Sequence, residues 1–388
     1  VKIVSDYIVW MLHDYWLHCR YADDSIRMRD RLFPLLRRAV NVYLRYIKEN
    51  PLDLGDGKIH IKKSWSPEYP GGTGVDINYT LALIRWSCRT LLEINLENGI
   101  NDPKAEAWQH LLDNLTGLQI DETGLRIGRD IPFDKSHRHY SHLLAFYPLF
   151  DLTPDKDAAL LRRSLDHWLE VTCDPARHKD DAMAVTPYTC TGAASMYAAL
   201  KDGDKALKYL RLAAFAKVSC TTFYTEGGEQ IIDPPLSVAA SIHDMLLQSW
   251  DGRVRIMPGI PSSWGSSCFK SLLCQGGIVV SAERCDKKLR YALIESPNRK
   301  RDVAFTMEMD QPIFSIINDS GTVSPVKIAR DAAGFYHVSL PAGASLEAVA
   351  SDTNVLSINL VKSSAEKANI FGFNTQYSVR RASSNPGT

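Results

Sequence analysis

Charge of one sign is missing from this chain: 45 Lys and Arg residues stand against 45 Asp and Glu residues in 388. Such a balance lacks the electrostatic footprint of a protein that binds phosphate backbones or anionic membrane surfaces. Long apolar runs are missing too, and none approaches the roughly 20 residues that a spanning helix needs. Nucleic-acid binding and a membrane-spanning segment are therefore poor descriptions. The eight cysteines, Cys19, Cys88, Cys173, Cys190, Cys220, Cys268, Cys274 and Cys285, include no CxxC pair. Disulfide frameworks belong to much shorter chains, so buried free thiols are expected. The first residues, VKIVSDYIVWMLHDYW, lack the basic start and small-residue cleavage site of a signal peptide. With no initiator Met either, the chain is expected to be a processed product or a piece of something longer.

What is present is a change of rhythm near Trp250. Before it the apolar spacing is helical. Segment 25–49 carries Ile26, Leu32, Leu35, Leu36, Val40, Val42, Tyr43 and Tyr46 at three- and four-residue intervals. Similar spacing predicts helices over 7–20, 76–98, 103–116, 140–150, 155–172, 190–201, 204–216 and 236–249. Short turns between them make helical hairpins. Longer Gly- and Pro-rich stretches interrupt the hairpins at 51–75, 121–139, 173–189 and 218–235, and connections of that length tend to carry function. After Trp250 the period is two. GGIVVSAE, LRYALIES, DVAFTMEM, PIFSII, GFYHVSL and SLEAVA predict an antiparallel β-sandwich over 251–360. Residues 361–388 read as a polar tail.

Three polar motifs sit in or beside the long stretches. SWSPEYPGGTGVDIN places Glu68 between Trp65 and Tyr69, ahead of three glycines. Apolar neighbours suit a carboxyl to a general acid, although the same residues describe a solvated charge on a turn. SHRHYSHL offers His137, Arg138, His139 and His142. H-x-H-x-x-H without nearby Cys does not match an established zinc motif, which leaves polar-ligand binding through Arg138 and His139, or buried structural histidines. In YTEGGEQIIDPPLSVAASIHDMLLQSW, Glu226, Glu229 and Asp233 lie within eight positions. Asp233 before Pro234 and Pro235 reads either as a helix cap or as a base held rigidly at a helix start.

Two separated carboxylates, aromatics and a His/Arg cluster on loops of a helical array describe a glycosidase. Four blocks carry a closer resemblance: SPEY…GGTGVDINYTLALIRWSCRTLLEI, HRHYSHLLAFYPL, GAASMYAALKDGDKALKYL and IIDPPLSVAASIHDMLLQSWDGRVRIMPGIPSSW. In this order, over about residues 10 to 280, they resemble glycoside hydrolase family 95, which holds inverting α-L-fucosidases and related α-L-galactosidases. The resemblance implies a mainly α architecture, an (α/α)6 helical-hairpin barrel over 1–250, incomplete at its N-terminal side, followed by the sandwich. It implies Glu68 as general acid, Asp233 as the residue that activates water, and Arg138 and His139 as substrate contacts. Trp65, Tyr69 and Glu229 are further expected substrate-binding residues. No cofactor and no metal are implied, and the partner is a carbohydrate.

The chain departs from the family pattern at Tyr69, where Asn is usual, at Pro234-Pro235-Leu236 after Asp233, and at Gly227, where the family has His. It also has no Asn-x-Asn segment before Glu68, so an N-terminal β domain and the first helices are expected to lie outside it. The resemblance alone points to a periplasmic or extracellular setting. Two other readings fit the same residues: a catalytically impaired carbohydrate-binding barrel, and a helical-barrel phosphorylase or lyase.

Overall fold

The computed structural model describes residues 5–173, 185–214, 224–226, 229–352 and 358. The chain divides into two compact units, Val1–Val185 and Thr186–Thr388. Among the described residues of the first, the α-helices are α1 (Ser5–Tyr21), the single turn α2 (Ser25–Arg27), α3 (Phe33–Glu49), α4 (Asn78–Glu97), α5 (Ala105–Asn114) and α6 (Pro154–Cys173). Two short antiparallel pairs accompany them, β1 (Ser64–Trp65) with β2 (Thr73–Gly74), and β3 (Ile120–Asp121) with β4 (Gly124–Leu125). The helix predicted over 25–49 is segmented. Asp24 caps α2 by accepting from the Arg27 amide at 2.8 Å, and a π-helical turn over Met28–Leu32 leads into α3. Along α3 the buried residues Phe33, Leu36, Ala39, Val40 and Tyr43 form one face, as the spacing required. Helix α4 is buried on nearly every side and is the centre of this unit.

Residues 140–150 are not the helix expected from their spacing. Only a 3-10 turn, Ser141–Leu143, forms there, and turns follow it. Pro148 has no N–H to give a helix and disfavours helical backbone at Tyr147, while Phe150 is left-handed at φ 48°. The apolar residues that imitate a helical period, Leu143, Leu144 and Phe146, are buried in this irregular segment instead.

A carboxylate ties three helices together. Asp6 of α1 is 4% exposed and accepts from the Tyr43 hydroxyl of α3 at 2.6 Å and from the Thr80 hydroxyl of α4 at 2.8 Å. Burial outweighs those two hydrogen bonds and raises its pKa from 3.8 to about 6. The folded state thus holds this proton more tightly than the unfolded chain does. The contribution of Asp6 to stability is greatest below pH 4 and falls as pH rises to about 6, by roughly 3 kcal/mol. Asp6→Asn is expected to remove that dependence. Urea unfolding should show the variant gaining on the wild type between pH 4 and 6.5; a constant difference across that window would contradict this account.

The second unit contains α7 (Pro187–Ala199), α8 (Gly203–Leu212), the pair β5 (Tyr224–Glu226) and β6 (Glu229–Ile231), and α9 (Asp233–Leu246). Thr186 and Thr189 form a capping box at the start of α7, and Pro187 occupies its first turn. Small residues line α7, including Gly192, Ala193, Ala194 and Ser195, all buried. Ser195 and Ser241 of α9 share a hydrogen bond at 2.9 Å, and the Ser241 hydroxyl also reaches the Thr191 carbonyl at 2.9 Å.

The strands β7 (Leu247–Gln248), β8 (Arg253–Ile256), β9 (Ser267–Leu273), β10 (Val279–Cys285), β11 (Lys288–Ser296), β12 (Arg301–Thr306), β13 (Pro312–Ile317), β14 (Val323–Val326), β15 (Tyr336–Leu340) and β16 (Ala344–Ala350) follow. They form a six-stranded sheet, β14-β13-β16-β11-β10-β9, and a four-stranded sheet, β15-β12-β8-β7. Pairing is antiparallel except between β12 and β8. Alternation along β15 and β16 turns every second residue inward. Val280, Ala282, Phe305, Leu340 and Leu346 meet in one buried cluster between the sheets. This is the sandwich predicted from the period-two segments. Cys19, Cys88, Cys190 and Cys274 are buried and Cys173, Cys268 and Cys285 partly buried, with no disulfide among them. Cys220 and the tail 361–388 lie outside the described residues. Among the described residues no helix is long and apolar enough to cross a membrane.

Candidate active site

The Glu68 motif is a hairpin. Ser64 pairs with Gly74 and Trp65 with Thr73. Beyond that ladder the Ser66 amide donates to the Gly72 carbonyl at 2.8 Å, and the Gly72 amide donates to the Tyr69 carbonyl at 2.9 Å. Glycine suits position 72, because a Cβ there would crowd the Tyr69 and Ser66 carbonyl oxygens at 3.0 and 3.1 Å. Glu68 stands at the tip with a left-handed backbone, φ 58°. Its side chain is 53% exposed.

Two basic side chains meet that carboxylate. Arg138 Nη2 lies 3.2 Å and His139 Nε2 2.8 Å from the same oxygen, Glu68 Oε2. Residues 70 and 71 positions further along the chain are thus brought to Glu68. The arginine side is anchored from beneath. The His137 carbonyl accepts from the buried Trp168 indole at 2.9 Å and from the Thr172 hydroxyl at 3.2 Å. Ser66 and Ser141 share a hydrogen bond at 2.7 Å, which ties the hairpin to the segment that follows His139.

Tyr69, expected as a substrate-binding residue, has a buried ring. The hydroxyl accepts the Asp134 and Lys135 amides at 3.0 and 3.1 Å, and its one proton faces the Pro132 carbonyl and Asp134 Oδ1. Burial pushes this phenol up to about 12. The ring packs on Phe133 and edge-on against His137. Tyr69 therefore fastens the Glu68 hairpin to the strand of chain that delivers Arg138 and His139. Trp65 is half-buried, with the Tyr7 ring of α1 at 6.0 Å between centroids. Tyr7 is exposed, and its phenol is pushed up by partial burial and then by the negative charges of Glu68 and Asp6. No local signal in the sequence attaches Tyr7 to Glu68, because the two meet only through packing of α1.

The histidines of the second motif turn to different neighbours. His137 is buried and bonded to the Pro67 carbonyl; burial, with the nearby charges of His139 and Arg138, holds its pKa down at about 3. His142 stacks on Phe133 at 4.2 Å and is likewise kept neutral, by burial first. Among the described residues no three His, Cys, Asp or Glu side chains are grouped to hold a metal ion. In the second unit, Asp233 opens α9 as an exposed residue, and no side chain caps that helix. Glu229 is exposed on β6, where it pairs in register with Glu226 of β5.

The sequence profile of the glycosyl hydrolase family 95 catalytic domain matches residues 4–246. The chain belongs to this family. The family 95 match takes in α1 to α9 and, with them, Glu68, Arg138, His139, Glu229 and Asp233. Alpha-L-fucosidase 2 of Arabidopsis thaliana is 21% identical over 302 residues, covering 70% of this chain and 33% of that protein. Probable alpha-fucosidase A of Aspergillus niger is 23% identical over 304 residues, covering 70% and 36%. The chain thus spans about a third of the length of the curated relatives it matches. Among solved structures, the alpha-L-rhamnosidase of Streptomyces avermitilis complexed with L-rhamnose shares 13% identity at a TM-score of 0.44, covering 82% of this chain and 31% of that one. A family 127 beta-arabinofuranosidase shares 9% identity at a TM-score of 0.28, covering 85% and 50%.

Proposed function

We propose that this chain carries the acid and the base of an inverting, exo-acting glycosidase of the α-L-fucosidase or α-L-galactosidase type. Its helices over 1–250 would belong to an (α/α)6 barrel, followed in sequence by the 251–360 sandwich. The observation that carries the reading is the Glu68 carboxylate, exposed at a hairpin tip and held on one oxygen by Arg138 and His139 within a family 95 catalytic domain. Glu68 gives its proton to the glycosidic oxygen as the bond to the sugar breaks. Asp233 takes a proton from the water that attacks the opposite face of the ring. A gap of about 6.5–9.5 Å between the two carboxyl groups accommodates that water in an inverting enzyme.

Arg138 and His139, both on Glu68 Oε2, stand where sugar hydroxyls would meet them beside the acid. Trp65 supplies an aromatic face for the apolar side of the ring.

The test is the first product formed from a nitrophenyl α-L-fucoside by the enzyme that carries this chain. Proton NMR should show the β-anomer of the free sugar appearing first, and Asp233→Asn should lower turnover by about 10²–10⁴-fold. An α-anomer first, or an Asp233→Asn enzyme of unchanged rate, would remove the assignment. Sugar binding without turnover would favour a carbohydrate-binding protein instead.

A further inference from the structure

The hairpin that carries Glu68 is closed at its base by a buried imidazole–carboxylate pair. His60 and Asp76 stand eight residues before and after Glu68. Both side chains are 0% exposed, and His60 Nδ1 lies 2.7 Å from Asp76 Oδ2. Asp76 Oδ1 accepts from the Ile61 amide at 2.8 Å, and the Asp76 amide donates to the Ile61 carbonyl at 3.0 Å. Three bonds therefore join the two legs of the hairpin next to the β1–β2 ladder. The other imidazole nitrogen, Nε2, meets the exposed Asp56 at 2.9 Å, and Arg129 lies 3.6 Å from Asp76 Oδ2. The Arg129 amide also donates to the Val75 carbonyl at 3.0 Å, which fixes the second leg.

Packing alone does not call for this arrangement. Ile61 and Ile77, beside the pair, are fully buried, and apolar side chains could fill the same space without taking ionisable groups out of water. What an imidazole–carboxylate pair adds is direction, because its hydrogen bonds hold at one geometry only. Asp76 is itself left-handed, at φ 50°, so its side chain and both backbone groups serve the same closure.

We propose that His60 and Asp76 are positioning residues for Glu68: they set the register of the 64–74 hairpin so that its tip presents the carboxyl to the leaving-group oxygen. The proposal rests on the reading of Glu68 as proton donor. Burial pushes the His60 imidazole down, but its hydrogen bonds to Asp56 and Asp76 outweigh burial and carry it above its ordinary value, in keeping with a cation shared by two carboxylates. Asp56 belongs to the exposed side of the pair, and Asp76 to the side that closes the hairpin.

Two amide variants separate these sides. In His60→Asn the amide nitrogen falls where Nδ1 was and keeps the bond to Asp76; in His60→Gln it falls nearer Nε2 and keeps only Asp56. The variants, each checked for a cooperative melt, are assayed in the enzyme that carries this chain. One substrate is a fucosyl disaccharide, whose leaving group needs a proton; the other is a dinitrophenyl α-L-fucoside, whose leaving group does not. His60→Gln is expected to lose about 10–100-fold in kcat on the disaccharide, with KM and the activated substrate within about threefold, because a misplaced acid affects only the proton-dependent step. His60→Asn should stay within about fivefold of wild type on both. Equal activity of the two variants, equal losses on both substrates, or an effect confined to KM would overturn the proposal. Glu68→Gln is the reference. If it fails to separate the substrates, the proton-donor reading and this proposal fall together; if it separates them and His60→Gln does not, only the positioning role falls. Failure of His60→Gln to fold leaves His60→Asn decisive, since a loss beyond about tenfold there on the disaccharide overturns the role.

Discussion

Glu68→Gln is expected to lower kcat on a fucosyl disaccharide by about 10²–10⁴-fold while leaving a dinitrophenyl fucoside within about tenfold of wild type. Gln keeps the size of the side chain and an oxygen for Arg138 or His139 to meet, so the hairpin and its contacts survive. Only the proton is gone. A leaving group that departs readily as an anion does not need it, and one that departs as an alkoxide does. The asymmetry between substrates is therefore the diagnostic, more than the size of either loss. A uniform loss would mean that Glu68 binds or shapes the site without donating a proton. Michaelis–Menten measurements on both substrates decide between these outcomes.

The second large effect concerns the support beneath Arg138 and His139. Trp168 is fully buried, packs edge-on against Tyr140 with centroids 5.5 Å apart, and donates its indole N–H to the His137 carbonyl. Trp168→Ala removes the whole ring and should destabilise the first unit by about 3–5 kcal/mol through the cavity left behind. Trp168→Phe keeps most of the ring and loses the donor. The His137 carbonyl still accepts from Thr172, so the cost of the missing bond should be about 1 kcal/mol, with a further contribution from the smaller ring. Urea unfolding of the chain measures both. An alanine variant no less stable than the phenylalanine one would show that this ring does not support the segment.

The parts of the fold that could be read in advance are those with a local period. Phe33 to Tyr43 and the alternation through Tyr336–Leu340 each declare one buried face within a few residues. Segment 140–150 misleads because Leu143, Leu144 and Phe146 keep helical spacing while Pro148 forbids the helix. The meeting of Glu68 with Arg138 and His139 is visible in the ordered blocks of the family resemblance. Composition alone leaves both an acid and a solvated charge open for Glu68. The ties between distant segments are not legible at all. Asp6, Tyr43 and Thr80 come from three helices, and His60 and Asp76 from two legs of a hairpin, so no window of sequence contains either set. Tyr69 shows the opposite problem. An aromatic beside a carboxylate reads as a wall of the site, but the amides of Asp134 and Lys135 and the Pro132 carbonyl pull its hydroxyl inward.

The left-handed backbone at Glu68 has an evolutionary consequence. Glycine or asparagine adopts that conformation more readily than glutamate, by about 1 kcal/mol in the case of glycine. Random substitution screened only for a well-folded product would therefore drift towards those residues at position 68. On the proposed role of Glu68 as proton donor, a glutamate in this conformation sets turnover against fold stability. Glu68→Gly is accordingly expected to make the chain slightly more stable while removing the proposed acid.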